Sequence, residues 1–276
     1  MGYAIIADSC ADLTPEMKNE LDATTVPLTM RLGGREFSDN DALDLPGFME
    51  EMAACTEKVG SASPPPATWQ GAFEQAGSAF AVTLSRKLSG SYDSAMMGKQ
   101  LIDEAGSADV HVFDSKSASA GEALLTLKIR HFIDENLSKE AIIQRTNQFI
   151  ESMKTYFVLE NYDNLQKNGR LNKVTGKLIS ILGIRLVMGA ADGEIALFHK
   201  ARGEASMLEK MLDLVATSGK ETEGEDMVIS HCNNPGLAGR LADAIRQQFR
   251  FQHIHIVPTG GISSLYADNK GVVMAF

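Results

Sequence analysis

Short apolar runs alternate with segments of helical period along the first half of the chain. The runs "YAIIAD", "AFAVTL" and "VHVFD" have the length and composition of buried β-strands. Each precedes a stretch whose apolar residues recur at helical spacing, namely "TPEMKNEL", "SGSYDSAMMGKQLIDEA" and "SASAGEALLTLKIRHFIDE". Strands that alternate with helices are typical of βα units around a parallel sheet. We therefore predict an N-terminal α/β domain over residues 1–153.

The pattern changes after residue 153. The segment "IRLVMGAADGEIALFHKARG" predicts a β-hairpin that turns at Asp192 and Gly193. Predicted helices in "SMLEKMLDLVA" and "GLAGRLADAIRQQF" then alternate with the strand-like runs "MVISH", "HIHIVP" and "GVVMAF". We predict a C-terminal α+β domain with a mixed sheet over residues 154–276. The Pro-rich stretch "SASPPPATW" is too short for a linker, and we predict a rigid loop there.

Composition restricts the class of protein. A chain of 276 residues with 44% hydrophobic content can bury a sizeable core. Its 36 acidic and 26 basic side chains give a formal net charge of −10, which disfavours nucleic acid and anionic membranes as partners. The three cysteines lie far apart, without metal-ligand spacing, and favour a reducing compartment. No window approaches the roughly 20 apolar residues of a transmembrane helix, so we predict a cytoplasmic protein without a transmembrane segment.

Serines follow all three predicted strands of the N-terminal domain. Ser9 follows the first strand, Ser89 lies in "LSRKLSGSYDSA" after the second, and Ser115 follows the third. The carboxyl ends of such strands line a ligand crevice, where the free N–H groups of the following helices favour an anion. The alternative is that these serines cap helices. Gly90 favours ligand binding at Ser89, because it leaves the backbone open between the hydroxyls of Ser89 and Ser91.

No catalytic set emerges from the sequence. The G-x-S-x-G elbow of serine esterases is absent. Of the six histidines, His231 ends the run "MVISH" at a possible site edge, although a structural role is the favoured interpretation. A serine-dependent acyl hydrolase or transferase that uses Ser89 with His231 stays open as an alternative. An interaction or regulatory protein that binds no lipid is a second alternative.

Six short motifs follow one another along the chain: "DSCADL" at 8–13, "SASPPP" at 61–66, "LSGSYDSA" at 88–95, "DSKSASAG" at 114–121, "LENYDNLQKNGRL" at 159–171 and "KARG" at 200–203. In this order they resemble the DegV family of bacterial fatty-acid-binding proteins. The resemblance implies a two-lobed α/β protein of the EDD-type fold that buries a long-chain fatty acid between its lobes, with no metal and no other cofactor.

The same resemblance implies a function. Members of the family are non-catalytic carriers that present the bound acid to a separate fatty acid kinase catalytic subunit. The kinase uses ATP to convert the carboxylate to an acyl phosphate for phospholipid synthesis. A lipid-sensing regulatory protein without kinase coupling is the alternative for a chain of this kind.

The carboxylate of a fatty acid needs hydrogen-bond donors when it is buried, and serine hydroxyls can supply them. The tail of the acid gains about 0.8 kcal/mol per buried CH₂, while its carboxylate is costly to bury unless donors meet it. The resemblance implies that Ser61 and Ser89 donate hydrogen bonds to the carboxylate and that Arg202 of "KARG" supplies the positive charge. Ser9 and Ser115, at the other two strand ends, complete the candidate binding set in the N-terminal domain.

The C-terminal region departs from the family pattern. DegV proteins commonly close with H-x-G-P-G, whose histidine completes the head-group network. This chain reads "SSLYADNKGVVMAF" instead. We expect a hydroxyl of Ser264 or Tyr266 to take the place of that histidine, with Tyr266 as the candidate ligand-binding residue. Neither hydroxyl can carry the positive charge of a protonated imidazole.

Overall fold

The computed structural model describes residues 2–171 and 184–276. Its strands are β1 (Ala4–Asp8), β2 (Ala23–Val26), β3 (Thr29–Leu32), β4 (Arg35–Ser38), β5 (Val59–Ala62), β6 (Ser78–Thr83), β7 (Asp109–Asp114), β8 (Thr155–Val158), β9 (Ile184–Ala191), β10 (Glu194–Arg202), β11 (Asp226–His231), β12 (His253–Pro258) and β13 (Val272–Ala275). Its helices are α1 (Pro15–Leu21), α2 (Leu45–Ala54), α3 (Pro66–Ala76), α4 (Ser91–Ala105), α5 (Ala120–Asp134), α6 (Lys139–Ser152), α7 (Asp163–Lys167), α8 (Gly203–Ala216), α9 (Pro235–Gln248) and α10 (Gly261–Ala267).

The N-terminal domain is built on a parallel sheet in the order β2-β1-β6-β7. Its three long strands are the apolar runs identified in the sequence, which confirms the predicted βα units. Ile6 and Ala81 on one face pack with Trp69 of α3, whereas Ile5 and Phe80 on the other face pack against α5. The carboxyl ends of β1, β6 and β7 therefore lie along one edge, as a parallel sheet requires.

The C-terminal domain contains a six-stranded mixed sheet in the order β10-β9-β8-β13-β11-β12. Only β11 and β12 pair in parallel; the other neighbours are antiparallel. Helices α8 and α9 cover one face. On the other face, Val228 and Val257 join the core around α5. Helix α5 is thus packed between the two large sheets, and the predicted combination of a parallel N-terminal sheet with a mixed C-terminal sheet is confirmed.

A third, antiparallel sheet in the order β4-β3-β5 was not predicted. Its strands have four residues each and carry exposed polar side chains such as Arg35 and Glu36, so the sequence shows no run of strand character there. The predicted rigid loop "SASPPPATW" is also wrong in part. Its first residues end β5, and α3 begins at Pro66, where proline is tolerated because the first helical N–H needs no partner.

The predicted hairpin is confirmed and joins the two domains. Asp192 and Gly193 both have positive φ, as a tight two-residue hairpin turn requires. The hydroxyl of Ser85, just after β6, donates to the carbonyl of Gly193 at 2.7 Å. A Cβ at position 193 would lie 2.6 Å from that hydroxyl oxygen, so glycine permits this close approach. Lys87 and Lys116 both form ion pairs with Asp192.

The predicted domain boundary falls between α6 and β8, the first strand of the six-stranded sheet in chain order. Residues 1–153 and 154–276 stay our proposal for the two domains. None of the helices that the structure describes is both long enough and apolar enough to cross a bilayer.

Candidate functional site

A largely apolar cavity lies between the two domains, beside the carboxyl ends of β6 and β7. Residues from both domains form its walls. The apolar part of the lining consists of Leu28, Leu84, Leu88, Ala118, Phe157, Leu159, Leu165, Ala190, Ile195, Ile262, Ala267 and Val273. Such a lining can bury an aliphatic chain, because burial of apolar surface is the main source of affinity for a tail that makes no hydrogen bonds.

Ser61, Tyr266 and Arg170 form one polar cluster in the wall of this cavity. The hydroxyls of Ser61 on β5 and Tyr266 on α10 lie 2.8 Å apart. The guanidinium carbon of Arg170 lies 5.5 Å from the centre of the Tyr266 ring. Arg170 also donates from Nε to the carbonyl of Leu88 at 3.2 Å, next to Ser89. Two hydroxyls and a guanidinium are thus concentrated at one part of an apolar cavity.

The guanidinium of Arg170 is available to pair with an anion in the described part of the structure. Its bonds are to the carbonyls of Leu88 and Asn168, and within residues 2–171 and 184–276 no carboxylate pairs with it. Lys116, the other cation among the described residues of the lining, differs in this respect, because Glu151 at 2.8 Å and Asp192 at 3.0 Å already neutralise it. A half-buried guanidinium is the stronger partner for a carboxylate here.

Ser89 has two roles. It lines the cavity, and its hydroxyl oxygen also accepts from the backbone N–H of Ser91, the first residue of α4, at 3.2 Å. Ligand contact and helix capping were alternatives in the sequence, and the structure is compatible with both at once. The second serine of "SGS" does not face the cavity: Ser91 is fully buried and its hydroxyl donates to Asp8 at 2.6 Å. The expectation of a ligand between two hydroxyls is therefore wrong.

Buried carboxyl groups hold the walls of the cavity in place. Asp8 accepts from the backbone N–H groups of Cys10 and Leu84 as well as from Ser91. Burial raises the pKa of Asp8 to about 6, although these hydrogen bonds oppose the shift. The same cause, together with the negative charge of Asp8, holds the pKa of the fully buried Glu122 well above its ordinary value.

A second buried carboxyl group connects the two domains. Asp12 accepts from the backbone N–H of Gly260 at 2.7 Å and from the hydroxyl of Ser119 at 2.5 Å. Burial raises the pKa of Asp12 to about 7. Asp39 accepts from the first two N–H groups of α10, which carries Tyr266 into the cavity. These contacts fix α10 against the N-terminal domain.

Three of the predicted site residues do not line the cavity. Ser9 accepts from the backbone N–H of Leu28 at 3.0 Å. Ser115 is fully buried and bonds locally with Ser117. Arg202 is exposed at the far end of β10 from Glu194, and eight residues at about 3.3 Å rise place it roughly 25 Å from that cavity residue. The structure thus brings Ser61, Ser89 and Tyr266 together and leaves these three elsewhere.

The arrangement disfavours the hydrolase alternative. Among the residues that the structure describes, no histidine lines the cavity. His231 lies in a different pocket, and its Nδ1 accepts from the backbone N–H of Asn234 at 3.4 Å. Ser264, the other candidate for the place of the missing histidine, bonds to Thr259 at 2.8 Å and lies outside the cavity. Of the two, only Tyr266 reaches it.

Sequence analysis missed Arg170. The residue lies inside the motif "LENYDNLQKNGRL", but the positive charge was assigned to "KARG" on family resemblance. A signal was present, because the motif contains only two cations, Arg170 and the exposed Lys167. The missing information was three-dimensional: α7 and the residues that follow it bring Leu165 and Arg170 into the lining of the same cavity as Ser61.

Comparisons with known proteins agree with this architecture. The model of the DegV family, described as "Uncharacterised protein, DegV family", matches residues 3–275. A DegV-family protein from Ruminococcus gnavus, refined with vaccenic acid, has a TM-score of 0.94 at 36% identity, with 99% of each chain covered. The Streptococcus pneumoniae Fatty Acid Kinase (Fak) B3 protein, loaded with linoleic acid, has a TM-score of 0.91 at 35% identity, with 100% of this chain and 99% of that chain covered.

A curated relative extends the match at the sequence level. A DegV domain-containing protein of Streptococcus pneumoniae strain R6 is 35% identical over 280 residues, which cover 100% of this chain and 99% of the relative. Similarity of this extent, together with the six ordered motifs and the two-domain fold, shows that the chain belongs to the DegV family.

Proposed function

We propose that the protein binds a long-chain fatty acid in the cavity between its domains and acts as a carrier, not as an enzyme. The observation that carries this proposal is the concentration of Ser61, Tyr266 and Arg170, which no carboxylate of the described residues pairs with, in the wall of a largely apolar cavity. An aliphatic tail with a single carboxylate matches that distribution. The fatty acids in the structures of the relatives from R. gnavus and S. pneumoniae support it.

We expect the purified protein to contain, or to take up, one fatty acid per chain. Native mass spectrometry and solvent extraction measure this directly. Ala190→Trp should abolish uptake because Ala190 lines the cavity, whereas Ala191→Trp is the matched control because Ala191 is its exposed neighbour on β9. An empty extract with no saturable uptake of any long-chain acid, by a protein that is folded by circular dichroism, contradicts the proposal.

Presentation of the carboxylate to a kinase is the finer part of the proposal. The S. pneumoniae relative is described as a fatty acid kinase B3 protein, and Ser61, Ser89, Arg170 and Tyr266 are only half-buried, so a second protein can approach a carboxylate bound there. Transfer of the γ-phosphoryl group of ATP to a carboxylate oxygen gives ADP and an acyl phosphate.

We expect ADP release when the loaded protein, ATP, Mg²⁺ and a fatty acid kinase catalytic subunit are combined. Protein emptied of lipid is the control. The kinase subunit must be shown to be active on another carrier. If it then releases no ADP with this protein, the proposed presentation to a kinase is contradicted, whereas the proposed fatty-acid binding is not.

The two serines should respond differently to truncation. Ser61→Ala removes a donor from the head-group cluster and should weaken fatty-acid binding by about 1 to 3 kcal/mol, with little effect on unfolding. Ser89→Ala should have the same effect on binding and in addition destabilise the fold by about 1 kcal/mol, because the N–H of Ser91 loses its acceptor. Chemical denaturation without lipid and binding titrations on both variants separate the effects. Unchanged affinity in Ser89→Ala would reduce Ser89 to a helix cap.

A further inference from the structure

Two histidines and an aspartate lie together on one face of the six-stranded sheet, outside the lining of the cavity. His253 and His255 are two residues apart on β12, the edge strand, so their side chains point to the same face. Asp226 is the register partner of His253 on the neighbouring strand β11. None of the three residues lines the fatty-acid cavity.

The three side chains converge closely. Nδ1 of His253 lies 2.9 Å from Oδ1 of Asp226, and the two imidazole centres are 5.8 Å apart. One ligand atom from each residue can be chosen so that all three atoms lie within 4.8 Å of one another. Two ligands of a tetrahedral Zn²⁺ ion, at about 2.0 to 2.1 Å from the metal, are roughly 3.4 Å apart. The 2.9 Å between Nδ1 of His253 and Oδ1 of Asp226 is close to that value, and no pair in the set of three is more than 4.8 Å apart, so the three ligand atoms lie within reach of a single ion.

His255 carries an unused ligand atom. Its Nε2 is shielded from solvent and has no hydrogen-bond partner in the described part of the chain. A buried ring nitrogen without a partner is costly, and a metal ion would satisfy it. His131 provides the contrast: its Nε2 pairs with Glu135 at 2.9 Å, but no second imidazole joins that pair among the described residues.

We infer that Asp226, His253 and His255 form a binding site for a late first-row divalent metal ion such as Zn²⁺. Two imidazoles with one carboxylate are the ligand set of such ions, whereas Mg²⁺ and Ca²⁺ prefer oxygen ligands alone. Three protein ligands leave a fourth position for water or another donor. The ion would link the edge strand β12 to β11. This inference does not depend on the proposed fatty-acid binding.

Titration of the tag-free, chelator-treated full chain with Zn²⁺ alone tests the site. The parent protein for this test is Cys55→Ser, and every variant carries the same change, because a half-buried thiol also binds zinc. We expect saturable binding of one ion per chain by isothermal titration calorimetry and a rise in Tm with zinc concentration. His253→Gln, His255→Gln and Asp226→Asn should each weaken binding by at least about tenfold. His131→Gln, which alters a histidine–carboxylate pair without a second imidazole, should bind as the parent does.

Co²⁺ gives a second readout that does not depend on affinity. In the parent it should show the intense visible absorption of a four-coordinate site, and this band should disappear in His253→Gln. His255 is partly buried, so the result for His255→Gln is used only if circular dichroism shows a folded chain. His253 and Asp226 are more accessible, so their variants test the site even if His255→Gln does not fold. Binding by the parent no tighter than by His253→Gln, or a Co²⁺ spectrum of the hexa-aqua type, overturns the inference.

Discussion

Replacement of Arg170 by alanine should weaken binding of a long-chain fatty acid more than truncation to alanine of any other polar residue in the described lining of the cavity. Of the two cations in the described lining, Lys116 is already paired with Glu151 and Asp192, so a bound carboxylate would lose the one that no described carboxylate neutralises. Truncation of one partner of a desolvated ion pair costs about 2 to 4 kcal/mol, which corresponds to a thirtyfold to thousandfold loss of affinity. The expectation from the sequence gave this place to Arg202, which the structure leaves exposed at the far end of β10.

Two comparisons make the Arg170 result specific. Arg202→Ala is the matched control and should retain the affinity of the unaltered protein. The fatty alcohol of the same chain length separates head-group recognition from collapse of the cavity, because it keeps the tail and lacks the charge. Arg170→Ala should therefore lose affinity for the acid and keep its affinity for the alcohol. Equal losses for both ligands, or a larger loss in Arg202→Ala, would contradict the assignment of Arg170.

Some elements of the fold follow from neighbouring residues in the sequence, and those could be predicted. Others depend on packing between distant segments, and those could not. Strands β1 and β6 are buried on both faces, so they read as nearly continuous apolar runs, whereas the edge strand β7 reads as Val110, Val112 and Phe113 between more exposed residues. The Asp192–Gly193 turn was predictable because its positive φ angles demand these residue types. Strands β3, β4 and β5 are short and half-exposed, and their buried residues pack with α2 and α10. The packing with α10 joins segments about 200 residues apart in the chain, which no local pattern reveals.

The candidate site shows the same division. Motif resemblance placed Ser61 and Ser89 in one site, and the departure from the family's C-terminal motif added Ser264 or Tyr266. The structure brings Ser61, Ser89 and Tyr266 to one cavity. Resemblance assigned no function to Asp8 and Asp12, although both lie in the first motif. Their task is architectural, since Asp8 holds the start of α4 and Asp12 holds the segment that leads into α10. A carboxylate that caps buried N–H groups cannot be distinguished by sequence from one that faces a ligand.

Stability should fall as the pH rises from about 4 to 7.5, because the folded chain retains protons that the unfolded chain has released. Both Asp8 and Asp12 have an ordinary pKa of 3.8, and burial raises it to about 6 and about 7 respectively. Their contribution to stability is therefore fully present below pH 3.8 and is lost as the pH passes through the folded-state values. At 1.36 kcal/mol per unit, the loss is on the order of 3 kcal/mol for Asp8 and 4 kcal/mol for Asp12.

Asp12→Asn isolates this effect from the other titrating groups. The amide cannot ionise and still offers an oxygen to the N–H of Gly260, so the variant should gain stability relative to the unaltered protein by several kcal/mol between about pH 5 and 7.5. Asp192→Asn is the control, because ion pairs with Lys87 and Lys116 lower the pKa of Asp192 to about 2, and it stays ionised throughout that range. Urea denaturation at each pH measures the free energies of unfolding. If the difference between the unaltered protein and Asp12→Asn is independent of pH, then Asp12 is ionised in the folded state at pH 5, and the hydrogen bonds from Gly260 and Ser119 outweigh its burial.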